Sequence, residues 1–138
     1  MIYVDTSLLL PVYVPEVNSE RANQILESAS AIMISDLTVA EFYVGLARKQ
    51  KLGELSLQQA GAAGASFESH LAEGLLNRAA LHSAHSEAAG QLAKSSEFML
   101  RTLDALHLAV AIGLGLPLAT FDGRLADAAR GFGVEVLA

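Results

Sequence analysis

Four carboxylates stand where an alternating fold would turn them into one site. Asp5 closes the apolar run Ile2 to Val4, and Asp122 closes the run Leu116 to Phe121. Asp104 opens the most apolar stretch of the chain, and Glu41 falls one turn into an amphipathic segment. An unpaired carboxylate at the head of an apolar helix is costly unless N–H groups or a cation satisfy it. Two acids in one crevice also repel, and a divalent cation relieves both problems. Hard oxygen ligands, with no Cys and no paired His, favour Mg²⁺ or Mn²⁺, ions that bridge protein carboxylates to phosphate oxygens. The chemistry implied is water, activated by the metal, attacking a phosphodiester in line.

The elements that would position these acids alternate between strand and helix. Strands are expected at Ile2 to Val4, Ala31 to Ser35, Leu116 to Phe121 and Val134 to Leu137, with at most a short edge strand at Ala79 to His82. Helices are expected from Thr6 to Val14, Ser19 to Ala29, Leu37 to Lys51, Leu57 to Leu76, Ser83 to Ser96, Asp104 to Leu114 and Gly123 to Arg130. Continuous apolar strands separated by helices predict an α/β fold, a parallel sheet of four to five strands covered on both faces. Ligands of such sheets bind beyond the carboxyl ends of the strands, where Asp5 and Asp122 fall. Glu41 shares a helix face with Leu37 and Val44 by spacing, which points it toward the sheet.

Composition narrows the classes. The chain has 138 residues, 52% hydrophobic and 17% charged, which excludes disorder and fits one domain over residues 1–138. A net charge of −6 excludes a broad basic surface, so any nucleic acid must be gripped locally. The absence of Cys excludes disulfides, thiolate metal sites and cysteine nucleophiles, and fits a reducing cytoplasm. The start reads as no signal peptide, and the stretch Leu103 to Leu118 is too interrupted to span a membrane.

The run Asp5-Thr6-Ser7, Glu41 in Thr38-Val39-Ala40-Glu41, the segment Arg101 to Ala109 around Asp104 and His107, and Leu118-Ala119-Thr120-Phe121-Asp122-Gly123-Arg124-Leu125 together resemble the PIN-domain ribonucleases, specifically the VapC-type toxins. The resemblance covers the whole chain and rests on the order and spacing of the motifs. It implies a three-layer PIN-like fold and a Mg²⁺- or Mn²⁺-dependent endoribonuclease with Asp5, Glu41, Asp104 and Asp122 as catalytic and metal-holding acids. Thr6, Ser7 and Thr120 would support them. It also implies a homodimer, a small cognate antitoxin and an RNA substrate, single-stranded or structured.

Plainer roles compete for the same residues. Asp5, Asp104 and Asp122 suit helix N-termini, and Thr38-x-x-Glu41 matches a capping box, although Ser35 or Asp36 as the cap would leave Glu41 too deep for it. His107 is expected to be a packed, hydrogen-bonded core residue outside the site, and His70, His82 and His85 to be solvated. Arg101 and Arg124 suit either RNA phosphate or a neighbouring carboxylate, and Asp127 either a fifth acid or the surface. Arg48, Lys49 and Lys51 complement a helix C-terminus. Leu9, Leu10, Val12 and Tyr13 suit the core or a dimer interface. Two rival functions are an aspartyl-phosphate mechanism, disfavoured by Ser7 in place of a second acid and by the lack of a Lys at a late strand end, and a catalytically silent module binding RNA or protein.

Overall fold

The computed structural model describes residues 1–138. Five strands, β1 (Ile2–Val4), β2 (Ile32–Ser35), β3 (Leu76–Ala79), β4 (Leu118–Ala119) and β5 (Val136–Leu137), form one sheet in the order β3-β2-β1-β4-β5. Every pairing is parallel. The seven helices are α1 (Thr6–Tyr13), α2 (Ser19–Ser28), α3 (Asp36–Lys51), α4 (Leu57–Ala72), α5 (Ser83–Ser95), α6 (Thr102–Leu114) and α7 (Gly123–Gly131).

Strand alternation divides the interior into two cores. Ile2, Val4, Ile34 and Ala119 face one side, packed with Leu8, Leu9, Phe42 and Phe67 from α1, α3 and α4. Tyr3, Met33 and Leu118 face the other, against Leu108, Val110, Leu125 and Ala129 from α6 and α7. Helices thus cover both faces and give three layers, as the period-2 pattern requires. Leu9 is fully buried, which settles it as core.

The connections run outward from β1 to β2 and β3, then return to its other side at β4 and β5. The direction reverses between β1 and β4, so their carboxyl ends frame the crevice in which open parallel sheets bind ligands. Val4 pairs with Ala119 there, one residue before Asp5 and three before Asp122.

Several boundaries differ from expectation. The fourth helix stops at Ala72 because Gly74, at φ +75°, turns the chain, with Leu75 N–H bonding His70 C=O and Gly74 N–H bonding Leu71 C=O. The edge strand therefore occupies Leu76–Ala79 rather than Ala79 to His82. β4 and β5 are shorter than their apolar runs, since only two residues of each find a ladder partner. The sixth helix begins at Thr102, and its middle, Ala105 and His107 through Ala111, is buried on every side as expected, with exposure confined to its ends at Leu103 and at Ile112 to Leu114.

Candidate active site

Asp5 leaves β1 in extended conformation and caps α1, accepting a hydrogen bond from Leu8 N–H at 3.3 Å. Capping and membership of the crevice are compatible here, because only one lone pair is used. The Ser7 hydroxyl donates to both Asp5 oxygens, at 2.8 and 3.1 Å. Its own oxygen accepts from Phe121 N–H at 2.8 Å and Asp122 N–H at 3.1 Å. Thr120 Oγ1 lies 3.2 Å from Ser7 Oγ and accepts from Asp122 N–H at 3.0 Å. Ser7 thus fastens the end of β1 to the turn after β4. Asp122 caps α7 through Arg124 and Leu125 N–H.

Burial drives the Asp5 carboxyl above its ordinary range, against the pull of His107 and of the Ser7 and Thr120 hydroxyls. Asp104, in the first turn of α6, is also raised, first by desolvation and then by the charge of Asp122. The Asp5 shift reports burial, whereas Asp104 feels a second carboxylate as well, so like charge meets at the carboxyl end of β4.

Glu41 approaches from α3. Its Oε2 lies 2.6 Å from His107 Nε2 and accepts from Thr6 Oγ1 at 2.8 Å, while Oε1 is left unengaged. Desolvation pushes the Glu41 carboxyl upward, but the bonds from His107 and Thr6 and the charge of His107 outweigh it and hold the group below its ordinary value. Ser35 caps α3 and shares a capping box with Thr38, which leaves Glu41 free of any capping role. The face reading needs correction: Leu37 is buried but Val44 is 67% exposed, so Glu41 sits on the margin of the buried stripe rather than within it.

His107 is buried and hydrogen-bonded, as expected of a core residue, yet it is joined to the site rather than set apart from it. Its Nδ1 lies 2.7 Å from Tyr3 Oη, which lies 2.8 Å from Ser35 Oγ. Its partners are 104 and 66 residues away in sequence, so no local pattern reveals them. The one available signal is the set of polar residues at buried positions, Tyr3, Ser35 and Thr38, each of which must find a partner. His70 is likewise not simply solvated, since Tyr13 Oη meets its Nδ1 at 2.7 Å. His85 accepts from His82 N–H at the start of α5.

The structure therefore brings Asp5, Ser7, Thr120 and Asp122 into one hydrogen-bonded unit, sets Asp104 within electrostatic reach of Asp122, and brings Glu41 alongside through Thr6 and His107. It gathers no three carboxylate or imidazole groups into a ready-made metal cage. Asp127 stands outside this unit, paired with Arg130 at 3.3 Å on the surface of α7. No helix is long and apolar enough to cross a membrane.

Comparison with known proteins gives the arrangement a family. The PIN domain model matches residues 2–131. Ribonuclease VapC46 of Mycobacterium tuberculosis is 34% identical over 140 aligned residues, 99% of this chain and 96% of its own length. Among solved structures, the Mycobacterium tuberculosis VapC20 toxin, described as cleaving the sarcin-ricin loop, superposes with a TM-score of 0.74 at 22% identity, covering 93% of this chain and 95% of its own. A toxin-antitoxin complex from Klebsiella pneumoniae gives a TM-score of 0.70 at 22% identity, with 100% and 97% covered. The chain belongs to the PIN-domain family and, within it, to the VapC-type toxin ribonucleases.

Proposed function

We propose that the protein is a Mg²⁺- or Mn²⁺-dependent endoribonuclease, the toxin of a toxin–antitoxin pair, with Asp5, Glu41, Asp104 and Asp122 as its catalytic acids. The observation that carries this reading is the convergence of acids at the switch point of the sheet, where Ser7 and Thr120 join Asp5 to the Asp122 backbone, Thr6 and His107 hold Glu41 alongside, and Asp104 feels the charge of Asp122. Such a donor set fits a hard divalent cation. Mg²⁺ keeps several waters and is commonly bound through one or two protein carboxylates together with substrate phosphate. When bound, the ion supplies charge neutralisation, polarises the phosphoryl oxygens and lowers the pKa of an attacking water.

The chain's own residues then have separable tasks. Ser7 and Thr120 fix the Asp5 carboxyl and the backbone before Asp122, so both acids hold their geometry without rearranging during reaction. Glu41, kept ionised by His107 and Thr6, presents Oε1 as the acceptor for a proton leaving the attacking water. Water adds to phosphorus in line, the P–O bond to the leaving sugar oxygen breaks, that oxygen takes up a proton from solvent, and Glu41 returns the proton it accepted to solvent.

The toxin role draws on the VapC46 and VapC20 relatives, and the antitoxin on the Klebsiella complex. A homodimer acting on cytoplasmic RNA completes the reading, consistent with a chain that has no Cys. Induced expression in bacteria without an antitoxin tests it. Growth should stop with the natural sequence and continue with Asp5→Asn at equal protein level. Arrest by both forms, or by neither, would contradict the assignment.

A further inference from the structure

The nine Lys and Arg residues fall into three groups. Lys49, Arg78 and Arg130 pair with carboxylates, and Arg21 bonds the Ala138 carbonyl. Arg48, Lys51 and Lys94 are exposed in the last turns of α3 and α5, where the helix dipole favours a cation. Arg101 and Arg124 fit neither description. Both are exposed, neither pairs with a carboxylate, and they stand at the N-termini of α6 and α7, the ends at which a positive charge is disfavoured. Arg101 lies within electrostatic reach of Asp104, yet no carboxylate contacts either guanidinium, so the N–H donors of both are left free.

Their surroundings supply the reason. Arg101 and Arg124 border one cavity of about 490 Å³ with Phe98, Met99, Leu100 and Asp127. Asp127 is already paired with Arg130, so it does not cancel the two guanidinium charges. Met99 is 95% exposed and Phe98 46% exposed, an apolar platform beside unpaired cations. The Phe98 ring rests over Gly131, where a Cβ would stand 3.2 Å from its Cε2, so the ring is propped by α7. Arg101 lies three residues before Asp104, and Arg124 two residues after Asp122.

We propose that this cavity is a nucleotide subsite for single-stranded RNA, in which Arg101 and Arg124 grip backbone phosphate and Phe98 stacks a base. Guanidinium groups bind phosphate through paired N–H donors, and an aromatic face accepts any base. In a chain of net charge −6 the subsite supplies the local cationic grip that substrate binding needs beside an acidic centre. It rests on the ribonuclease reading above and locates where that substrate is held.

The test is fluorescence anisotropy of a labelled, mixed-sequence single-stranded RNA of about 12 nucleotides, titrated in EDTA at several salt concentrations and followed by cleavage with Mn²⁺. Arg101→Ala/Arg124→Ala should weaken binding about tenfold or more and flatten the dependence of log Kd on log salt by about 1.4. The double Lys variant should restore that slope. Phe98→Ala should weaken binding about tenfold with the slope unchanged, and Lys51→Ala should match the natural sequence. Unaltered binding and slope in the double Ala variant, with the natural protein binding and cutting RNA, would overturn the subsite and leave the ribonuclease standing. A natural protein that neither binds nor cuts RNA would remove both.

Discussion

Glu41 Oε2 and His107 Nε2 meet at 2.6 Å, and this contact ties α3 to α6 across the mouth of the acidic crevice. An ionised carboxylate only accepts, so Nε2 carries the hydrogen. The ring's Nδ1 and the Tyr3 hydroxyl then share one hydrogen, and Tyr3 Oη shares another with Ser35 Oγ. Burial lifts the Tyr3 hydroxyl to about 12, so it stays protonated throughout the working range. One proton arrangement thereby satisfies four groups.

Removing the imidazole should unbalance that chain. His107→Leu removes one partner each from the Tyr3 hydroxyl and Glu41, leaving them Ser35 and Thr6, and unfolding in urea should show a loss of about 1–3 kcal/mol. The pH dependence carries a sign. Glu41 is held below its ordinary value, so its contribution is complete above the unfolded-state pKa and is lost as pH falls through the folded one. That acid limb should flatten in His107→Leu, and an unchanged limb would contradict the role given to His107.

Asp104 carries the opposite sign. Its carboxyl is raised by burial and by Asp122, so the folded state binds the proton more tightly than the unfolded chain. Stability therefore falls as pH rises from the ordinary Asp range through the raised value, and the deficit persists at neutral pH. Metal-free Asp104→Asn should melt higher than the natural protein at pH 7 and equally in acid. Mn²⁺ should raise the Tm of the natural protein and leave that of the variant nearly unmoved. A variant that melts lower at neutral pH would contradict the crowding of charge on which the site is built.

Ser7 makes a third prediction. Its hydroxyl serves the Asp5 carboxylate and two main-chain N–H groups at once. Ser7→Ala should cost about 1–3 kcal/mol in denaturant unfolding and lower RNA cleavage by more than the loss of folded protein explains. Full specific activity in Ser7→Ala would show that the β4 turn holds itself.

The acids at strand ends were legible because their positions follow from short-range pattern alone: an apolar run, then Asp, then a helix. The three layers were legible for the same reason, since Ile2, Tyr3 and Val4 alternate between the two cores. The end of α4 was not, because Leu75 and Leu76 continue a helical rhythm that the left-handed turn at Gly74 interrupts. Val44 misled because two residues a turn apart suggest a face that only the neighbouring helices can confirm. His107 escaped because its meaning lies in contacts to Tyr3 and Glu41, made by the fold and absent from any window of sequence.

The most direct measurement is cleavage of a pool of tRNA, rRNA and synthetic single strands by antitoxin-free protein, with Mg²⁺, Mn²⁺ or EDTA, and with Asp104→Asn in parallel. The account predicts discrete cuts that require the divalent ion and vanish in the folded variant. Cuts that persist in EDTA, or in Asp104→Asn at equal rate, would contradict it.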